Sequence, residues 1–407
     1  MINTIYDIAF LIALALLFAR LFGYLLSKMK FPAVIGEILA GFILAILGFY
    51  LFKGQIISIF GLSITIPHLS CLSTEFDLLA EIGILFLMFI SGLSTNINQL
   101  RKMGRPSIFI AIGGIIVPFT LGFSTTYLFG YPLNDSLVLG LMLIATSVGI
   151  TVRSLMDLRM LDSKVGATIL GGAVIDDVLG IILLSFIIGT DSILHITIKI
   201  ALFFFIFLYL GLRIIDRILG FGEKINLPKA FLSISITIFL LYSFFADRFG
   251  ISGIIGAFFA GVIIGHSIKS RKIIDDVQTV GYGFFVPLFF IWIGIKLFTG
   301  IQYDLSSLYT IGFFAIIIVI IGILGKIIGC GIGAKLAGLT NKESIQIGVG
   351  MIPRMELALI IVSTAISNGF LSTTTIENQF LAITVFITII TTIITPVLIK
   401  KVYKFTS

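Results

Sequence analysis

Ile311-Gly312-Phe313-Phe314-Ala315-Ile316-Ile317-Ile318-Val319-Ile320-Ile321-Gly322-Ile323-Leu324 runs for fourteen residues without a charged or polar side chain. Ala201–Leu212 is comparably apolar. Each reads as the middle of a helix of roughly 20 residues crossing hydrocarbon. The rest of the 407-residue chain agrees: 58% is hydrophobic, 12% is charged and the mean hydropathy is +1.19. A soluble domain carries about 25% charged residues. So little charge cannot cover a soluble particle of this size, so hydrocarbon is the solvent for most of the exterior. There every backbone polar group must be paired internally, which leaves helices or a closed barrel. Barrel strands alternate apolar and polar residues, and these runs do not. The fold class is an all-α polytopic membrane protein.

Outward from that run, thirteen apolar segments follow the same reading: 3–27, 33–53, 77–93, 105–129, 134–156, 165–189, 193–213, 228–246, 252–267, 276–299, 306–334, 343–367 and 377–399. The first lacks a basic leader, carries Asp7 and is too long for the apolar core of a cleaved signal peptide. The net charge of +7 has a one-sided distribution. With the N-terminus outside, alternate loops on one face collect twenty Lys and Arg, from Lys28 and Lys30 to Lys400, Lys401 and Lys404; the opposite loops hold little more than Lys53 and Arg248. This positive-inside pattern predicts an odd span number with the C-terminus in the cytoplasm. It also explains the basic balance without a nucleic-acid partner. Cys71 and Cys330 are far apart, and His68, His195 and His266 lie near loops or helix ends, so no resident metal or redox centre is indicated. No phosphate-binding glycine loop supports ATP-driven pumping. The longest polar stretch, about 53–76, is read as a loop.

The chain repeats itself. Ile35-Gly36-Glu37-Ile38-Leu39-Ala40-Gly41-Phe42-Ile43 matches Ile255-Gly256-Ala257-Phe258-Phe259-Ala260-Gly261-Val262-Ile263 with its small residues in register, and 87–93 matches 289–295 in character. These are segments 2 and 3 against 9 and 10. The odd offset of seven predicts copies entering the membrane from opposite faces, the inverted repeat of many secondary transporters. The same offset pairs segment 5, with Ala145-Thr146-Ser147-Val148-Gly149-Ile150-Thr151, and segment 12, with Gly348-Val349-Gly350-Met351-Ile352-Pro353-Arg354. Both are interrupted mid-span by residues that weaken a helix, and interrupted helices at corresponding positions point to an ion site.

Charges inside spans are costly and usually functional. Asp176 and Asp177 sit mid-way along segment 6, Lys326 lies deep in segment 11, and Arg354 and Glu356 follow the break in segment 12; Arg20, Glu37 and Glu81 lie nearer the membrane faces. Neighbouring helix residues are rotated by about 100° and cannot both face one partner. One carboxylate can hold a buried pair while the other faces a cavity. Two carboxylates exceed what one lysine neutralises, so the excess one needs a proton or a cation, which is the chemistry of exchange. Burial favours the protonated acid and a nearby lysine favours the carboxylate. A Na⁺ ion needs hard oxygen ligands, which hydroxyls and freed carbonyls at the break could supply.

In Thr146-Ser147-Val148-Gly149-Ile150-Thr151, Ala173-Val174-Ile175-Asp176-Asp177-Val178-Leu179-Gly180 and Phe31-Pro32-Ala33-Val34-Ile35-Gly36-Glu37-Ile38-Leu39-Ala40-Gly41 the chain resembles the monovalent cation:proton antiporter-2 family, specifically its NapA-type Na⁺/H⁺ antiporters. The resemblance implies the NhaA/NapA-like antiporter fold, with an inverted repeat and two crossing broken helices. It implies Asp177 as the carrier of Na⁺ (or Li⁺) and H⁺, Asp176 as the partner of Lys326, and Thr146 and Ser147 as lining of the site. Arg354 and Glu356 then belong to the second broken helix. Asp-Asp matches the electrogenic branch. The stretch continues into Arg153, a charge the family pattern does not carry. The implied layout is 1–104 mainly on the dimerisation side, 105–190 in the ion-translocation core, 191–300 a linker helix and dimer-domain helices, and 301–407 core again. The implied setting is a homodimer in a prokaryotic plasma membrane. No cofactor is expected, since the ions are cargo, and the protein is expected to be a transporter rather than an enzyme.

Other readings are a K⁺/H⁺ antiporter of the same family and a Na⁺-coupled organic-anion symporter of the same fold, which needs polar groups for an organic substrate. An intramembrane aspartyl protease needs its two aspartates on different helices sharing a proton; here they adjoin on one. A channel would not need paired broken helices.

Overall fold

The structure, a computed structural model, describes residues 5–29, 31, 33–50, 56–59, 62–65, 75–95, 102–188, 193–224, 227–267 and 273–404. The described residues are helical throughout, apart from short turns and one hairpin. In chain order they form α1 (Ile5–Lys28), α2 (Ala33–Tyr50), strands β1 (Ile56–Ile59) and β2 (Leu62–Thr65), and α3 (Glu75–Ser94). Next come α4 (Gly104–Leu128), α5 (Leu133–Ile144), α6 (Val148–Asp157), α7 (Lys164–Ile188) and α8 (Ile193–Phe203). A π-helical stretch Phe204–Leu210 joins α8 to α9 (Gly211–Lys224), followed by α10 (Ala230–Arg248), α11 (Gly253–His266) and α12 (Ile274–Val280). A second π-helical stretch, Gly281–Phe285, leads into α13 (Val286–Leu336), and α14 (Asn341–Gly350), α15 (Glu356–Ser367) and α16 (Thr374–Lys404) complete the chain.

Among the described residues ten stretches have the length and composition of a membrane crossing: 8–28, 76–94, 104–128, 133–157, 164–188, 197–220, 230–248, 274–296, 312–336 and 374–403. Three shorter apolar helices, 33–48, 253–266 and 357–367, accompany them. The segments expected at 276–299 and 306–334 correspond to the separate stretches 274–296 and 312–336, the first running through α12 and the π-helical stretch into α13 and the second lying on α13. One expectation is corrected. The 53–76 stretch, read as a loop, contains an antiparallel hairpin in which Ile56 faces Thr65 and Ile59 faces Leu62. Its β-branched residues fit a pleated pair.

The chain packs as two units, residues 1–87 with 278–303 and residues 88–277 with 304–407. In the first, α2 lies on α13 by close glycine contact: a Cβ on Gly41 would strike the Ile291 carbonyl, and one on Gly294 the Ile38 carbonyl. Asp77 of α3 accepts from Trp292 Nε1 at 2.5 Å and from Lys296 Nζ at 3.0 Å. In the second, Gly92 of α3 and Gly261 of α11 meet in the same manner, against the Phe258 and Phe89 carbonyls. Gly41 and Gly261, and Gly92 and Gly294, are the positions that the sequence repeat aligns. Small residues let helix backbones approach in lipid, where burial of apolar surface gives no drive.

A glycine stripe also seats α13 on α4 within the second unit. Gly113 and Gly329 each leave no room for a Cβ against the other's carbonyl, and Gly333 is as tight against the Phe109 carbonyl. Gly325, Gly329 and Gly333 recur every four residues, so they share one helix face. This seat carries the neighbouring Lys326 into the core, where it is 0% exposed.

Candidate functional site

Two helices are interrupted near their middles. Between α5 and α6, Ala145 (φ −57°, ψ 139°) and Ser147 (φ −97°, ψ 119°) leave helical geometry. Between α14 and α15 the break runs from Met351 (φ −98°, ψ 8°) to Met355 (φ −153°, ψ −106°) and includes Pro353. Pro353 lacks the N–H an unbroken helix needs. A break inside a membrane protein persists only if the freed backbone groups find partners, and here they do. The Ser147 N–H donates to the Pro353 carbonyl at 2.7 Å, which joins the two breaks directly. The Thr151 hydroxyl donates to the Gly350 carbonyl at 2.6 Å, closing the C-terminal end of α14 with the first turn of α6.

Arg354 completes this closure. It is 0% exposed. Its guanidinium donates to the carbonyls of Ile352 at 3.0 Å, Leu143 at 2.7 Å and Gly322 at 2.8 Å. Leu143 and Ile352 stand near the C-terminal ends of α5 and α14, where helix dipoles leave partial negative charge; a buried cation between them satisfies both. The Arg354 N–H donates to the Thr391 hydroxyl at 3.2 Å, fixing the break to α16. The carbonyls of Gly350, Ile352 and Pro353 are each engaged by a protein donor.

The paired carboxylates of α7 part company at this crossing. Asp176, 1% exposed, accepts through Oδ2 from Lys326 Nζ at 2.8 Å and from the Thr146 hydroxyl at 2.6 Å. Asp177, one residue on, is half-buried and lines a cavity of about 280 Å³ together with Thr146, Ile181, Asp247, Leu357 and Ile360. The helical rotation between neighbours separates them: one carboxylate sits in a closed ion pair and the next faces open volume. At about 30 Å³ per liquid water, the cavity has room for a partly hydrated ion.

The residues expected at the site are thus distributed over three places. Asp176, Lys326 and Thr146 are bonded to one another, and Asp177 shares the cavity with Thr146. Ser147 is 1% exposed and contributes its backbone to the crossing. Arg354 binds helix-end carbonyls. Glu356 opens α15, and its side chain lies outside the described residues. Arg153 forms an i,i+4 ion pair with Asp157 at 3.2 Å on α6. Away from the crossing, Glu37 is 2% exposed on α2, Glu81 is exposed on α3, and Arg20 donates to the Tyr282 carbonyl. Among the described residues no cluster of three or more His, Cys, Asp and Glu could hold a metal.

Sequence reasoning missed Asp247. It stands at the C-terminal end of α10, where a charge reads as ordinary loop polarity, and only the fold brings it to the wall of the cavity. Thr391 was missed for a related reason: a threonine in an apolar helix carries no signal of what lies against it.

The sequence profile described as "Sodium/hydrogen exchanger, transmembrane" matches residues 13–403. The chain is 33% identical over 406 residues to the Na(+)/H(+)-K(+) antiporter GerN of Bacillus cereus, covering 98% of this chain and 97% of that one. It is 32% identical over 402 residues to a Na(+)/H(+) antiporter of Enterococcus hirae, covering 97% of each. Its fold is similar to that of the sodium proton antiporter MjNhaP1 from Methanocaldococcus jannaschii, with a TM-score of 0.71, 15% identity, and 99% of this chain and 97% of that one covered. With the profile spanning nearly the whole chain, this multi-pass membrane protein belongs to the sodium/hydrogen exchanger family.

Proposed function

We propose that this protein exchanges Na⁺ or Li⁺ for H⁺ across a prokaryotic plasma membrane, with Asp177 carrying either the cation or a proton. One observation carries the reading: Asp176 is closed into a buried pair with Lys326 and Thr146, while Asp177, next in sequence, lines an accessible cavity. A carboxylate on an accessible cavity can take either a proton or a monovalent cation, which are alternatives for one site. A cavity lined by two carboxylates, Asp177 and Asp247, repels an organic anion, which weighs against the symporter reading. The Na(+)/H(+)-K(+) antiporter among the relatives keeps K⁺ as a second cargo to be tested beside Na⁺.

The proposal extends to mechanism and architecture. The crossing moves relative to a dimerising scaffold, thirteen spans form an inverted repeat, the N-terminus is outside and the C-terminus is cytoplasmic, and two chains associate. The glycine contacts repeated at 41/294 and 92/261 support the repeat. Exchange is electrogenic if Lys326 gives up its proton when the cation binds: two protons then move against one monovalent cation. That net charge couples to the membrane potential at about 2.3 kcal/mol per 100 mV.

The test is dissipation of a pH gradient in proteoliposomes on adding Na⁺, Li⁺ and K⁺ in turn, with current recorded on a solid-supported membrane. Collapse of the gradient by Na⁺ or Li⁺ with a transient current is expected. No collapse with any of the three sinks the antiporter reading. Collapse without current, and without response to a valinomycin-set potential, removes only the electrogenic mechanism.

A further inference from the structure

Asp177 is not the only carboxylate on its cavity. The turn between α10 and α11 borders it too, where Asp247, Gly250, Ile251 and Ser252 line the same volume. The turn is well defined: the Phe249 and Ile251 N–H groups donate to the Ala246 carbonyl at 3.1 and 2.9 Å, the Gly250 N–H donates to the Asp247 carbonyl at 2.9 Å, and Gly250 holds a φ of 78°. The Ser252 hydroxyl accepts from the Ile254 N–H at 3.3 Å and starts α11. Asp247 is exposed on this turn. The neighbouring Arg248 lies over the ring of Phe244, 5.2 Å from its centroid, and the cavity wall takes Asp247 rather than Arg248.

We propose that Asp247 is the cation-capture residue of this cavity: its carboxylate concentrates monovalent cations in the volume it shares with Asp177 and hands them to that carrier. The inference rests on Asp177 being the carrier. A confined volume walled by one sign of charge raises the local concentration of the opposite ion, and this effect falls with ionic strength as the screening length shrinks from about 30 Å at 0.01 M to about 10 Å at 0.1 M. If the crossing moves as proposed above, Asp247 acts when Asp177 is open toward the end of α10 that bears it. The charge pattern of the loops makes that the outer face. The consequence is a sided enhancement: the apparent affinity for external cation is raised, and that for internal cation is not.

The experiment compares wild type, Asp247→Asn, Asp247→Glu and Asp177→Asn in vesicles of both orientations, measuring Na⁺-driven proton flux against Na⁺ concentration. At low ionic strength Asp247→Asn is expected to raise KM roughly three- to tenfold for Na⁺ added at the outer face, with kcat retained and no change at the inner face. Raising ionic strength with choline chloride should shrink the difference to less than about twofold, and Asp247→Glu should restore the wild-type KM. An unchanged KM in Asp247→Asn, with exchange abolished in Asp177→Asn, overturns the capture role and leaves the carrier reading intact. A KM shift equal on both faces and indifferent to salt also overturns it, since that is the mark of a structural defect. Wild-type vesicles without any cation-driven flux overturn both readings.

Discussion

Replacing either member of the Asp176–Lys326 pair should destabilise the fold far more than replacing both. The two side chains are 1% and 0% exposed and meet at 2.8 Å. At that separation two unit charges attract by about 6 kcal/mol at an effective dielectric constant of about 20. Withdrawing each ion from water costs several kcal/mol, so the intact pair adds little net stability. Removing one partner leaves a buried charge with neither water nor counter-ion, at a cost of about 3–5 kcal/mol. Asp176→Asn and Lys326→Met should each show that loss, and the double variant should recover most of it, giving a coupling energy of several kcal/mol in a double-mutant cycle. Thr146→Val removes only the hydroxyl bond to Asp176, for about 1–3 kcal/mol. The assay is thermal melting in detergent, read as the surviving monodisperse fraction by size-exclusion chromatography. Unchanged melting in both single variants, or a double variant as unstable as the sum of the singles, refutes the pairing argument.

Further predictions follow from the crossing and its seat. Arg354→Met leaves three helix-end and helix carbonyls without their donor and should cost about 3 kcal/mol or more; Arg354→Lys should restore only part, lacking the planar fork. Melting of the two variants in parallel checks this, and equal stability of Arg354→Met and wild type would contradict it. Gly329→Ala drives a methyl into the Gly113 carbonyl and should cost about 1–3 kcal/mol, measured the same way, whereas an exposed alanine substitution should not register. Because H⁺ and the cation compete for Asp177, lowering pH by one unit where protons win that competition should raise the apparent KM for Na⁺ about tenfold by mass action, or toward about a hundredfold if Lys326 also gives up a proton, with kcat preserved. A pH-independent KM with a falling kcat would point to separate sites.

Much of this was legible along the chain because the membrane makes local signals strong. Fourteen uncharged residues at 311–324 can only be buried or in lipid, and Asp176-Asp177 in an apolar span announces chemistry. Pro353 and the glycines near it mark the second break, and Thr146-Ser147 the first. What was not legible is non-local. Arg354 reads as a charge after a break, yet its partners Leu143 and Gly322 lie 211 and 32 residues away and are backbone atoms that leave no trace in residue type. Asp247 reads as a loop charge until the fold turns it onto the cavity. The hairpin at 56–65 was hidden because a short alternation of Ile and Ser within a polar stretch is a weak signal beside so many helices.

The most direct test of competition at Asp177 is proton release by the purified protein in weakly buffered detergent solution when Na⁺ is added. A carboxylate that binds either ion must discharge its proton as the cation arrives. Wild type should release about one proton per chain, rising toward two if Lys326 also gives up its own, and Asp177→Asn should release none while melting as a folded protein. Undiminished release from Asp177→Asn, or no release from a wild type that exchanges Na⁺ for protons in vesicles, would contradict the carrier role of Asp177.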